Sequence, residues 1–147
     1  MYKHILVPTD GSKLSLAAAR AAARLAAKLG ARMTALHVVE PYRPPIYSEG
    51  SIAYQAYYSP EEYEARMREV AERATAKVQE LARGVKCGRL TMMESQPWEA
   101  IVKAARSKKC DLIVMASHGR RGLAGLLLGS ETQKVLTHSK VPVLVFR

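Results

Sequence analysis

Three clusters of residues in this chain have the types and spacing to border a phosphorylated ligand. The densest lies between Ala116 and Thr132. There an apolar run, Leu112 to Ala116, gives way to a basic loop punctuated by Gly119, Gly122, Gly125 and Gly129. Ser130, Glu131 and Thr132 then open a helical pattern. Glycines let backbone N–H groups approach an anion with no Cβ in the way. A helix N-terminus adds further N–H groups and the positive end of its dipole. Arg120 and Arg121 bring positive charge to the same place. Ser130 to Gln133 fits a capping box, which would commit the Ser130 hydroxyl to backbone and leave the first-turn amides facing outward. A glycine-rich surface loop ahead of a capped helix would give the same pattern.

The second cluster is Pro8-Thr9-Asp10-Gly11-Ser12. Asp10 accepts hydrogen bonds without donating any, which suits ribose hydroxyls or a metal ion carried on phosphate. It would serve equally as a helix N-cap. The third is His37-Val38-Val39, at the end of an apolar run. His37 reads as structural, while His118 sits in the glycine loop within reach of a phosphate. Cys110, ahead of an apolar run, reads as packing, and Trp98, Met92 and Met93 read as core. Several known phosphate patterns are missing: no Gly-x-Gly-x-x-Gly follows the first strand, no Gly-x-x-x-x-Gly-Lys-Ser/Thr occurs, and no Ser-Gly-Gly-x-Asp-Ser run is present. No nucleophile and base stand at a recognisable spacing.

The elements that must position these clusters alternate. Tyr2 to Pro8 is a short apolar run, read as a buried strand. A helix follows to Gly30, a natural C-cap, with Arg20, Arg24 and Lys28 along its outer face. Met33 to Val39 is the second strand. Glu40 to Tyr58 carries Pro41, Pro44, Pro45, Gly50 and five tyrosines, and its length suggests a mobile lid or a partner surface. Ser59, Pro60 and Glu62 combine a cap, an N1 proline and a capping box for a helix to about Arg83. Arg89 to Met93 is a third strand, less apolar and so placed near an edge. Pro97 opens a helix to about Lys108. Leu112 to Ala116 and Val141 to Phe146 are the fourth and fifth strands. Pro142 confines the last of these to an edge, or itself to the strand's start. Strands alternating with helices imply an α/β fold with a parallel sheet and helices on both faces. In such a sheet ligands sit beyond the carboxyl ends of the strands, at the switch point of strand order, where the three clusters converge.

At 147 residues the chain reads as one domain over 1–147. No apolar run approaches a membrane span, and the N-terminus lacks the features of a signal peptide. Two cysteines without Cys-x-x-Cys spacing give neither a disulfide framework nor a metal quartet, so a reducing cytoplasm is the expected location. The net charge of +10 favours polyanionic ligands in general. Nucleic acid is not the expected partner, because no basic-aromatic motif, Cys/His finger or compact Lys/Arg block is present.

Over essentially its whole length the chain resembles the universal stress protein family. The residues that carry the resemblance are Ile5-Leu6-Val7-Pro8-Thr9-Asp10-Gly11-Ser12, Leu36-His37-Val38, Met115-Ala116-Ser117-His118-Gly119, then nine residues, Gly129-Ser130, and Val141-Pro142-Val143-Leu144-Val145. The family's nucleotide motif is Gly, two residues, Gly, nine residues, Gly, then Ser or Thr. Here Gly119, Gly129 and Ser130 supply its later positions, and Ala116 replaces its first glycine. Ser95 stands where the family usually places a glycine two residues before Pro97. The resemblance implies an open five-stranded parallel sheet of order 3-2-1-4-5, Rossmann-like and of the adenine nucleotide alpha hydrolase type. It implies ATP, or AMP or ADP, with Mg²⁺ held through the phosphates rather than by protein ligands. Asp10 would meet the ribose, with Pro8 and Thr9 beside it among the nucleotide-binding residues. Val38 backbone would meet the adenine edge, and Met115 and Ala116 would lie along the adenine and ribose side. His118, Gly119, Arg120, Gly129, Ser130, Glu131 and Thr132 would surround the phosphates. It also implies a homodimer paired through Val141 to Phe146. The function expected is a cytoplasmic, non-enzymatic stress-response module that binds nucleotide and passes its state to protein partners. The alternative is a scaffold of the same fold that works by protein contacts without nucleotide.

Overall fold

The computed structural model describes residues 1–44, 59–119 and 128–147. Its elements run β1 (His4–Pro8), α1 (Lys13–Leu29), β2 (Arg32–Val39), α2 (Pro60–Leu81), β3 (Cys87–Met93), α3 (Pro97–Ser107), β4 (Leu112–Ala116), α4 (Ser130–His138) and β5 (Val143–Phe146). The strands form one parallel sheet in the order β3-β2-β1-β4-β5. The switch point of strand order therefore lies between β1 and β4. The lid expected over Glu40 to Tyr58 lies mostly outside the described residues. The described part is fixed to α2: Tyr63 Oη donates to Glu40 O at 2.8 Å, and the Tyr42 and Tyr63 rings stand 5.4 Å apart.

Local sequence explains each helix boundary. Ser12 caps α1, accepting from Ser15 N, and Gly30 ends it at φ 63°, where a side chain would be strained. Asp10 is not the cap; its Oδ1 accepts from Ser12 N at 3.0 Å and shapes the turn before the cap. Ser59 and Glu62 form the expected reciprocal box at the start of α2, with Pro60 at its first position. The Ser130 cap is not formed. Gly129, extended at φ −60° and ψ 149°, is the N-cap, and Ser130 is the first helical residue with no side-chain cap bond. Glycine is an acceptable N-cap, and here it displaces the serine by one position.

The core has two layers. Ile5, Val7, Met33, Leu112 and Val114 face α1 and α2, where Ala19, Ala22, Ala23 and Ala26 let α1 pack closely. Leu6, Leu36, Ile113 and Met115 face the other way, against Ile101 and Ala104 of α3 and Val135 of α4. β3 is an edge strand, as its composition suggested, and its side chains alternate between half-buried and exposed. Met92 and Trp98, half-buried, pack against the second layer as expected, whereas Met93 is 55% exposed and lies outside the core. Cys110 is buried, and burial pushes its thiol up to about 11, as a packing cysteine requires.

At the amino end of the sheet His4 is buried at 6% exposure. Its Nδ1 lies 3.1 Å from Lys108 O and its Nε2 2.8 Å from Thr34 Oγ1. A carbonyl only accepts, so Nδ1 carries the proton and Nε2 accepts from the threonine hydroxyl. Burial, and then the nearby Arg32 charge, hold the His4 pKa below its ordinary 6.5. The unfolded chain therefore binds the proton more readily than the fold. The stabilising contribution of neutral His4 is complete above pH 6.5 and is lost as pH falls from there through the folded value. Urea denaturation across this range should show stability falling with acid, and His4→Gln should flatten that slope. An unchanged slope would assign it to other groups.

Candidate functional site

The carboxyl ends of β1, β2 and β4 bring the three sequence clusters to one crevice. Pro8 ends β1, paired with Leu36, and Thr9 N donates to Leu36 O at 2.8 Å before the chain turns away. β2 continues alongside β3 to Val39. Backbone groups of a strand alternate sides, so the N–H and C=O of Val38 point the same way as those of Leu36. That is the side on which β1 has already ended. A donor and an acceptor from one residue thus border the crevice, the pair an adenine edge would use. The Thr9 side chain is turned inward, with Oγ1 3.0 Å from Ser15 Oγ and accepting from Gly11 N. His37 is structural, as expected: it is buried, and its Nδ1 donates to Thr9 O at 2.9 Å.

Across the switch point, Met115 and Ala116 complete β4 and are buried. Ala116 is an ordinary strand residue paired with Phe146, so a methyl there carries no conformational cost. Its carbonyl accepts from Thr132 Oγ1 at 3.1 Å, which ties the first turn of α4 to the strand end. Gly119 approaches Asp10 closely: a Cβ on it would lie 2.7 Å from Asp10 Oδ2. Gly129 is equally confined, since its Cβ would meet His118 Cα at 3.2 Å and Ser117 O at 3.3 Å. Gly129 N donates to Ser117 O at 2.8 Å and is spent within the loop. The glycine closes the loop onto itself rather than offering its own amide to an anion. Ser117 Oγ lies 3.2 Å from His118 Nδ1, a hydroxyl–imidazole contact that the spacing did not suggest; the serine is buried at 6% exposure. Arg120 lies outside the described residues.

The first-turn amides distinguish α4 from the other helices. Serine side chains cap α1 and α2. The amide of Trp98 in α3 is taken by Glu131 Oε2 at 2.9 Å. Among the described residues no side chain occupies the first-turn amides of α4. Glu131 therefore has two duties that no local pattern separates. Its backbone belongs to the bare helix start, while its carboxylate holds α3 and pairs with Lys134 at 3.3 Å. Pairing the carboxylate away from the crevice removes a negative charge that would repel phosphate. A bare helix N-terminus, a strand-end carboxylate and a tight glycine contact supply the kinds of donor and acceptor that a phosphorylated sugar would use. Among the described residues no group of three or more His, Cys, Asp or Glu side chains could hold a metal ion. An ion brought by the ligand's own phosphates fits this donor set better than a resident one.

The profile of the universal stress protein family matches residues 1–147. Universal stress protein MJ0531 of Methanocaldococcus jannaschii is 36% identical over 149 residues, spanning all of this chain and 83% of the relative. The solved structure of hypothetical protein MJ0577, which bears the same organism's locus name, superposes with a TM-score of 0.73 at 29% identity, covering 99% of this chain and 96% of that one. A universal stress protein crystallised in complex with cAMP superposes with a TM-score of 0.69 at 25% identity, covering 99% and 97%.

Proposed function

From the premise that the chain belongs to the universal stress protein family, we propose that it binds an adenine nucleotide, ATP or its AMP and ADP relatives, at the β1–β4 switch point. The bare first turn of α4, packed beside the Asp10–Gly119 contact, is the observation that carries this reading. Asp10 takes the ribose hydroxyls, the outward edge of Val38 takes adenine, and Met115 lines the base. The amides of Ser130, Glu131 and Thr132 take phosphate, with Gly119 at the closest approach and His118 and Arg120 contributing from the loop. Mg²⁺ rides on the phosphates. The cAMP complex of a similar protein supports an adenine nucleotide over other phosphorylated ligands.

The same reading makes the protein a binding module rather than an enzyme. Phosphoryl transfer needs a group that positions water or accepts a proton beside the phosphate. Among the described residues no third group orients the half-buried His118 beside Ser117 as a base. We place the protein in the cytoplasm, where ATP is abundant; no helix among the described residues is long and apolar enough to cross a membrane. Protein partners would read its nucleotide state.

Two measurements test the reading. Denaturing the purified protein and separating the supernatant by chromatography should release adenine nucleotide. Millimolar ATP with Mg²⁺ should raise the melting temperature, and Gly129→Val should remove the shift by prising the loop from Ser117 and His118. A melting curve that saturating nucleotide leaves unmoved would favour a scaffold working through protein contacts alone.

A further inference from the structure

Opposite the nucleotide crevice, at the amino end of the sheet, the fold assembles a cationic row that is scattered in sequence. Arg32 N donates to Lys3 O at 3.0 Å, and Met33 N donates to Lys86 O at 2.8 Å. The starts of β1, β2 and β3 therefore gather Lys3, Arg32 and Lys86 at one end of the sheet: Arg32 and Lys86 share the face of His4, and Lys3, one residue before His4, flanks them from the other face. The α3–β4 turn adds Lys108, whose carbonyl accepts from His4, and Lys109. All five side chains are exposed. Among the described residues none of them takes part in an ion pair. Asp111, an acid beside them, is turned to the backbone, where its two oxygens accept from Lys3 N at 2.8 Å and His4 N at 2.9 Å; its single charge leaves the row strongly positive.

Helix electrostatics do not account for this row. Cations in a last helical turn complement the dipole, and Lys108 and Lys109 follow α3 in that way. Lys3, Arg32 and Lys86 precede strands, which have little net dipole. Lys109 adds a second observation. The exits of α1 and α2 use Gly30 and Gly84 at positive φ, whereas the exit of α3 places Lys109 at φ 53°. A lysine is strained there by about 1 kcal/mol where glycine would be relaxed. A charge stands where backbone geometry asks for none.

We infer that this end of the sheet is a docking surface for the phosphate backbone of double-stranded nucleic acid, bound without reading its sequence. Strands are spaced about 4.8 Å apart, so the row from β3 to β4 spans about 14 Å. A duplex presents one charge for about every 1.7 Å of its axis, so several phosphates face the row at once. Single strands are usually gripped by stacking on aromatic side chains. Tyr2, the aromatic residue beside the row, is half-buried against the core. Membrane-surface binding pairs cations with apolar side chains that insert. Met93, Leu136 and Leu144, exposed large apolar residues, lie on other parts of the fold, leaving Met1 at this end. The surface and the crevice lie at opposite ends of the strands, so neither ligand obstructs the other.

Fluorescence anisotropy with a labelled random duplex of about 20 base pairs tests the inference. The wild-type protein should bind at micromolar concentration in about 50 mM salt and lose affinity steeply as salt rises. Lys3→Gln/Arg32→Gln/Lys86→Gln should weaken binding at least tenfold and lower the slope of log K against log salt by about 2 to 3. A control removing the same charge from helix faces, Arg20→Gln/Arg24→Gln/Arg68→Gln, should bind within about twofold of wild type. Lys109→Gly removes a charge while relieving the backbone, so binding lost in that variant does not come from unfolding. The inference is overturned if wild type does not bind the duplex, or if both triple variants lose affinity equally. It is overturned as well if phosphatidylserine vesicles are bound in preference to the duplex.

Discussion

Gly119→Ala is expected to abolish the stabilisation that ATP confers while leaving the unliganded fold nearly intact. The new Cβ would stand 2.7 Å from Asp10 Oδ2, well inside contact distance. The carboxylate is the far end of a side chain and can rotate away, so the fold loses little. Rotation nevertheless has a consequence. Asp10 Oδ1 is held by Ser12 N at 3.0 Å, and moving the carboxylate gives up that one bond, while Ser12 still caps α1, and carries the ribose acceptor off its position. Bound nucleotide at about 100 times Kd stabilises a fold by about 2.7 kcal/mol, and the variant should lose most of this. Gly88→Ala is the matched control, because its Cβ would meet Thr34 Oγ1 at an ordinary 3.9 Å, far from the crevice. Thermal melts of the three proteins with and without ATP decide it. If Gly119→Ala keeps the full shift, the ribose does not lie at Asp10.

That prediction also marks where the sequence was sufficient. The alternation of apolar runs with capped helical patterns located the strands and helices of the described residues, and the poor apolar content of β3 placed it at an edge. Local chemistry decided those features: Ser59 and Glu62 lie three residues apart and meet within one turn. The closeness of Gly119 to Asp10 joins residues far apart in the chain, and only the neighbouring of β1 and β4 creates it. The same holds for Glu131, whose carboxylate reaches an amide 33 residues away. The cap of α4 failed differently. Gly129 and Ser130 both suit an N-cap, and the choice was made by the packing of Gly129 on Ser117 and His118, which a bulkier residue could not copy. The cationic row lay hidden for the first reason: Lys3, Arg32 and Lys86 form no block until the sheet brings three strand starts to one end.

The second large effect concerns β5. It is the outer strand beside β4, and its free side presents backbone N–H and C=O groups that no strand among the described residues satisfies. Short polar edges tolerate this; an apolar one invites pairing. Val143 packs partly against the α3–α4 layer, whereas Leu144 points to the other face and is 43% exposed. Pro142 precedes the strand, so its missing donor costs the edge nothing. We therefore expect wild type to be a homodimer in which β5 pairs antiparallel with its copy, an isologous contact that places each Leu144 against the partner. Leu144→Glu puts two like charges into that contact and should give a folded monomer, with Kd for self-association raised at least a hundredfold. Val143→Glu is the harsher change, since it buries charge against the monomer's own core, and should give aggregate or unfolded protein instead. The difference between the two neighbouring positions is the informative result. Sedimentation of wild type and Leu144→Glu at micromolar concentration reads it directly, with circular dichroism to show that the variant is folded. A wild type that sediments as a clean monomer would mean that the edge of β5 is left open to solvent.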